Sequence, residues 1–232
     1  MPYRRLPKTD AARLKALDAV LRNDDIYTVR NRVVDWKVLN KCRPAYDRLL
    51  TAVEQHKIRL LAQKRASSKI ERLQRNATMY VSHFLQVLFL AMERGEIKQQ
   101  CKTLYGLPED ATSIPPLKQA EQVLAIGEKA VKGEKLRIKK GGLPIYNPTI
   151  GKVSTHLDIF RETWLDQRRK MDQTAKALAD IQALRPEIDE IILDLWNQIE
   201  AHYASLPPEE RFQACRKLGV IYYYRRHEPH IY

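Results

Sequence analysis

Arg59, Lys64, Arg65, Lys69, Arg72 and Arg75 fall within seventeen consecutive residues. Long cations crowded this closely suit one kind of chemistry, because guanidinium and ammonium groups on flexible stems contact backbone phosphates without reading base edges. A second group stands near the C-terminal end, where "YYYRRHEPHIY", Tyr222 to Tyr232, interleaves Tyr223 with Arg225 and Arg226. Aromatic faces for stacking beside cations for phosphates suit a single-stranded nucleic acid. Each group also has a plainer reading. Charges at the tip of a helical hairpin are ordinarily just solvated, and a tyrosine-rich tail packs back on a bundle, with Ile221 and the tyrosines covering apolar helix ends.

Catalytic and metal-binding constellations are mostly missing. No Glu-x-x-His occurs to seat a di-iron centre on facing helices, and neither H-E-x-x-H nor G-x-S-x-G is present. His56, His83, His156 and His202 are isolated on expected helices or their ends, and His227-Glu-Pro-His230 is suited only to adventitious metal binding from a terminal tail. Cys42, Cys101 and Cys215 are odd in number and form no C-x-x-C. Lys102 and Arg216 flank the last two and would lower a thiol pKa, although small buried cysteines are the commoner case. No catalytic residue, metal ligand or cofactor is therefore assigned.

"KLRIKKGGLPIYNP", Lys135 to Pro148, raises a separate question of phosphate grip or joint. A two-residue turn at Gly141-Gly142 would set Ile138 opposite Ile145 and bring Leu136, Ile138, Leu143 and Ile145 to one face of a small β-hairpin. A phosphate loop needs G-x-x-x-x-G-K-[ST] leading into a helix, a spacing this segment lacks and "TIGKVS", Thr149 to Ser154, echoes only in its last letters. The expectation is a joint or apolar flap, with a nonspecific anion site as the alternative.

Apolar residues elsewhere recur at helical spacing. Thr9 and Asp10 begin a short helix with Leu14, Leu17 and Leu21 on one face, and Val29, Val33 and Trp36 continue the pattern towards Pro44, which begins a new helix or kinks this one. A long helix follows, its buried stripe running through Tyr46, Leu49, Leu50, Val53, Lys57, Leu60 and Leu61, with Lys57 the polar exception, to an end at Ser67-Ser68. Ser68 and Glu71 have capping-box spacing for the next helix, through Leu73, Ala77, Tyr80, Val81, Phe84, Leu85, Leu88 and Met92 to Gly95. After the linker "LYGLPEDATSIPPL" come a helix from Leu117 to about Val131 and then a second long stripe. This stripe holds Leu157, Phe160, Trp164, Met171, Ala175, Leu178 and Ile181, with a boundary at Arg185-Pro186. Ile188, Ile191, Ile192, Leu195, Trp196, Ile199 and Tyr203 carry the last long helix, before a short one ending at Gly219.

The expected fold is all-α: two long helical hairpins forming a bundle, short accessory helices, and a small β-hairpin-like insert at residues 132 to 153. The parts are an N-terminal helical unit (1–106), a linker, short helix and Gly/Pro insert (107–153), and a C-terminal helical unit (154–232), joined in one compact domain. A slide of 114 residues lays Gln99, Cys101 and Leu104 on Gln213, Cys215 and Leu218, which points to an internal duplication, although any two amphipathic hairpins slide into similar register.

Charge completes the picture. The chain of 232 residues carries a formal +13, yet Lys37 to Arg75 holds eleven basic residues against three acids, whereas Leu157 to Glu210 holds six against twelve. Opposite halves attract, within one chain or between copies. The expected function is noncatalytic self-association or protein-partner binding, as a homo-oligomer or scaffold. Nonspecific nucleic-acid binding by the basic hairpin and aromatic tail is the alternative. Free cysteines, no secretory signal and no stretch of roughly 18 apolar residues make a cytoplasmic protein without a membrane span the expectation. The opening "MPYRRLPKTDAARLKAL", Met1 to Leu17, resembles the start of a set of uncharacterised bacterial helical proteins of unknown function. The resemblance implies a helical fold and carries over no functional residues.

Overall fold

Helix α1 spans Asp10–Leu21 and begins where expected, because the Thr9 hydroxyl accepts the Ala12 backbone N–H at 3.2 Å. The computed structural model describes residues 3–23 and 32–226. Val29 and the His227–His230 pair lie outside them. Next comes α2, Trp36–Glu93, a single helix of 58 residues. A 3-10 helix, Gln99–Tyr105, precedes α3, Ala120–Lys139. Another long helix, α4, runs Ile150–His202, and α5 spans Pro208–Lys217. Strands β1, Tyr3–Arg4, and β2, Tyr222–Tyr223, pair antiparallel. The all-α bundle class holds.

Three local expectations are corrected. Ser67-Ser68 does not end a helix. The Ser67 hydroxyl donates to the Gln63 carbonyl at 3.1 Å and that of Ser68 to the Arg65 carbonyl at 3.0 Å, so both hydroxyls are satisfied inside the helix and no capping box forms with Glu71. Pro186, expected at a boundary, likewise sits within α4, and Pro44 lies inside α2 rather than at the start of a new helix. Beside Pro186, Ile181 and Ile188 are buried and Arg185 is pinned to Asp10 by two hydrogen bonds of 2.9 and 2.8 Å. Tertiary packing there outweighs the local cost of proline in a helix, about 3 kcal/mol. The first arm of the expected β-hairpin insert is helix instead, since α3 continues through Leu136 and Ile138 and the chain turns only at Gly141, φ +90°, into a loop without strands.

The helical stripes therefore pair differently from two successive hairpins. Two compact units form, one from residues 1–59 and 174–232 and the other from residues 60–173. In the first, α1, the opening two fifths of α2, the closing half of α4 and α5 enclose Leu17, Val34, Cys42, Leu49, Ile188, Ile192 and Trp196. α2 runs antiparallel to α4 here, since Asp35 N–H reaches Gln198 and Arg48 reaches Glu187. In the second, the remainder of α2, the 3-10 helix, α3 and the start of α4 enclose Val81, Phe84, Leu88, Tyr105, Val123, Leu157 and Phe160. The order is again antiparallel, because Gln167 bonds Ser67 and His156 stacks on Tyr80 with centroids 4.0 Å apart.

Each unit thus takes one stretch of α2 and one of α4. The element order short helix, long helix, short helix also occurs twice, and the 114-residue slide carries Trp36, the first residue of α2, onto Ile150, the first of α4. It carries α1 inside α3 as well.

Candidate nucleic-acid interface

In the second unit, α2 buries Ile70, Ala77, Val81 and Phe84 and leaves an outward stripe at alternating four- and three-residue steps: Leu61, Arg65, Ser68, Arg72, Arg75 and Met79. Lys64 and Lys69 flank that stripe, also exposed. At 1.5 Å per residue, the stretch from Arg65 to Arg75 presents its cations over about 15 Å. Arg75 lies 3.9 Å from Glu71, an exposed pair of little energetic weight. Arg65 and Lys69 border a groove of about 490 Å³ within this unit, across from Glu162 and Asp166. Asp166 is already engaged by Lys170 at 2.6 Å, whose hydrogen bond holds its carboxyl below the usual range. Arg59 is half-buried and belongs to the first unit, so five of the six sequence-predicted cations share this face.

A second basic face lies on α3. Lys129, Lys132, Lys135, Lys139 and Lys140 are all exposed, and among the described residues none has an ion pair within 4.0 Å. The neighbouring acid Glu128 is engaged by Arg161 at 2.9 Å. Sequence reasoning misses this face because it ends the helix near Val131 and reads the rest as a hairpin. The signal is present in the Lys129, Lys132, Lys135, Lys139 spacing, which is helical.

The polar residues between those lysines point inward. Glu134 has no exposure, and its carboxylate accepts Tyr105 Oη–H at 2.6 Å, Arg137 Nε at 3.0 Å, Arg137 Nη2 at 2.8 Å and the Ile145 backbone N–H at 3.0 Å. Burial alone would raise its pKa, yet the bonds from Arg137, Tyr105 and Ile145 outweigh burial and hold it below the usual carboxylate range. The Tyr105 phenol is pushed well up by burial and by the facing carboxylate. Every acceptor site of Glu134 is occupied, which marks a structural clasp rather than a proton-transfer group.

Gly141 and Gly142 are not a phosphate cradle. The Gly141 N–H donates to the Ile138 carbonyl at 2.9 Å and that of Gly142 to the Arg137 carbonyl at 3.1 Å, so both amides finish the end of α3.

Tyr223, Arg225 and Arg226 belong to the first unit. Tyr223 pairs with Tyr3 through β1 and β2, and the Arg5 guanidinium sits 5.7 Å from its ring centroid. Ile221 and Tyr222 pack on that unit's core, and the Tyr222 hydroxyl bonds Glu200. The segment is tied back to the bundle through Tyr222 and Tyr223.

The Cys42 and Cys215 thiols are not activated. Burial pushes Cys42 up to about 11, with Asp194 adding to the effect, and burial raises Cys215 too. Lys102 turns its ammonium to the carbonyls of Glu109 and Ala111 at 3.0 and 2.8 Å. Among the described residues no cluster of three His, Cys, Asp or Glu side chains could hold a metal ion, and no helix is long and apolar enough to cross a membrane.

Between them the units divide the charge unevenly. Residues 60–173 hold 20 Lys or Arg against 12 Asp or Glu, a net +8 of the chain's +13. The first unit pairs some of its basic side chains internally, in Arg13–Asp189 at 2.7 Å, Arg185–Asp10 at 2.8 Å, Arg4–Glu200 at 2.9 Å and Arg48–Glu187 at 2.6 Å. No known protein family, curated protein or solved structure matches this chain.

Proposed function

We propose that this is a noncatalytic nucleic-acid-binding protein whose second unit holds the phosphate backbone. The observation that carries this reading is the placement of exposed cations: Arg65, Lys69 and Arg72 on α2 and Lys129, Lys132 and Lys135 on α3 stand within one unit of net +8. Cations of this kind position a backbone without selecting a sequence. Lys64, Arg65, Lys69 and Arg72 are exposed and have no ion pair within 4.0 Å among the described residues, and these uncompensated cations favour nucleic-acid binding over association between copies.

A salt series of mobility shifts tests the reading. The wild type is expected to retain DNA at low salt and lose it steeply as salt rises. Two triple variants, Arg65→Glu with Lys69→Glu and Arg72→Glu, and Lys129→Glu with Lys132→Glu and Lys135→Glu, are each expected to weaken binding. For every phosphate no longer neutralised, the slope of log affinity against log salt should become shallower by roughly 0.9. Absence of any shift at low salt sinks the reading.

A second reading, self-association or protein-partner binding in a reducing cytoplasm, draws support from Leu61, Met79 and Leu90, exposed apolar residues on the outward side of α2. The recurrence of element order at 114 residues supports an internally duplicated chain under either reading. A stable dimer by light scattering, with no mobility shift, would select this second reading.

A further inference from the structure

Within the second unit, the segment after α3 displays two large side chains that no core covers, Leu143 at 80% exposure and Tyr146 at 74%. Its backbone, by contrast, is held from beneath. Arg137 Nη2 donates to the Leu143 carbonyl at 2.7 Å, Glu134 accepts the Ile145 N–H at 3.0 Å, and the Ile145 side chain is buried. A loop anchored on a buried carboxylate–guanidinium pair presents its exposed residues with little conformational entropy left to lose on binding.

Beside the loop lies a groove of about 580 Å³. Val87, Ala91 and Ile97 supply apolar lining, Arg94 is paired with Glu96 on the same rim at 2.8 Å, and Leu143 and Tyr146 complete the loop side. Lys139 and Lys140, both exposed, immediately precede the loop. An apolar recess with an aromatic ring at its edge and cations close by has the complementarity of a nucleotide, with the base against the ring and the phosphates outside.

We propose that the Gly141–Tyr146 loop and the groove beside it seat an unpaired base of a single-stranded nucleic acid, Tyr146 stacking on the base while Lys139 and Lys140 hold adjacent phosphates. This rests on the nucleic-acid reading above and narrows its ligand. A duplex keeps its bases stacked on one another and offers none to a lone tyrosine, whereas a single strand can splay one out. Neither Tyr146, Lys139 nor Lys140 belongs to the triple variants that test the broader reading, so the two fail separately.

The test is fluorescence anisotropy with the full chain, using a labelled oligothymidine, a blunt duplex of the same length, and vesicles containing phosphatidylserine as the competing anionic partner. Tyr146→Ala is expected to weaken oligothymidine binding about tenfold while leaving the duplex unchanged, and Tyr146→Phe, which keeps the ring, to bind as the wild type does. Circular dichroism checks that both variants stay helical, as expected for an exposed position. If the wild type binds neither nucleic acid, the broader reading falls and takes this one with it. If the wild type binds and Tyr146→Ala binds oligothymidine equally well, only this inference falls. Loss of vesicle binding in Tyr146→Ala with oligothymidine affinity intact also overturns it and assigns the loop to a lipid surface.

Discussion

Glu134 Oε1 accepts the backbone N–H of Ile145 at 3.0 Å, so a fully buried carboxylate on α3 holds a loop eleven residues further along the chain. The same carboxylate takes both nitrogens of an Arg137 fork and the Tyr105 hydroxyl. Such a group stabilises only while all its partners remain, because removing one leaves a buried charge partly uncompensated.

Replacing Arg137 with methionine is therefore expected to cost about 3–5 kcal/mol, read from urea unfolding. Tyr105→Phe, which removes one neutral donor, should cost about 1–3 kcal/mol. Hydrogen exchange at the Ile145 amide should quicken in Arg137→Met. An unchanged unfolding midpoint in that variant would contradict the clasp.

Close packing makes a second prediction at Gly133. A Cβ there would stand 2.7 Å from the Leu104 carbonyl oxygen, so α3 approaches the 3-10 helix more closely than any side chain allows. Gly133→Ala is expected to destabilise by about 1–3 kcal/mol. At Gly151, whose nearest neighbour is 4.0 Å away, the same change should be neutral or stabilise by about 0.5 kcal/mol through helix propensity. Thermal unfolding of the pair measures the contrast.

Acid stability should depend on Asp10. Its hydrogen bonds to Arg185 hold the carboxyl below the usual range, against burial and with help from the nearby Arg13. A depressed folded pKa contributes stability that is present above the unfolded value and is lost as pH falls through the folded one. The wild type should weaken progressively below about pH 4, and Asp10→Asn should show a shallower decline. Parallel acid titrations followed by circular dichroism would refute this if both decline alike.

Cys42 sets an alkaline window. Its thiol ordinarily titrates at 9.0 and is raised to about 11 by burial. A raised folded pKa contributes stability that is complete below the unfolded value, so this contribution should fade between about pH 9 and 11. At neutral pH the half-buried Cys101 should react first with a thiol-disulfide reagent, and Cys42 and Cys215 only on unfolding. Fast labelling of Cys42 in the native protein would contradict its placement.

Much of the helical content is legible from local signals. Thr9 begins α1 because its hydroxyl can accept an amide three residues on, a property readable without a neighbour. The stripe through Ala77, Val81, Phe84, Leu85 and Leu88 is buried as its spacing predicts, because a 3.6-residue period identifies the face a helix must hide. Five of the six basic candidates on α2 come together for the same reason. The α3 lysines escape a sequence reading because Gly141-Gly142 suggests a hairpin turn, and the preceding leucine and isoleucine fit a strand as well as a helix end.

By itself, the sequence determined that the chain is helical, which faces are apolar and how many positive charges must be accommodated, because propensity, periodicity and formal charge are properties of neighbouring residues. Tertiary structure alone decided that Ser67-Ser68 and Arg185-Pro186 are passed without a break, that α2 pairs with α4 in both units, and that Glu134 and Arg137 turn inward while their lysine neighbours face out. Those outcomes turn on whether a distant segment covers the helix at that point. A local penalty of a few kcal/mol is overcome where apolar packing and ion pairs such as Arg185–Asp10 span it, and nothing in the adjacent residues records that they do.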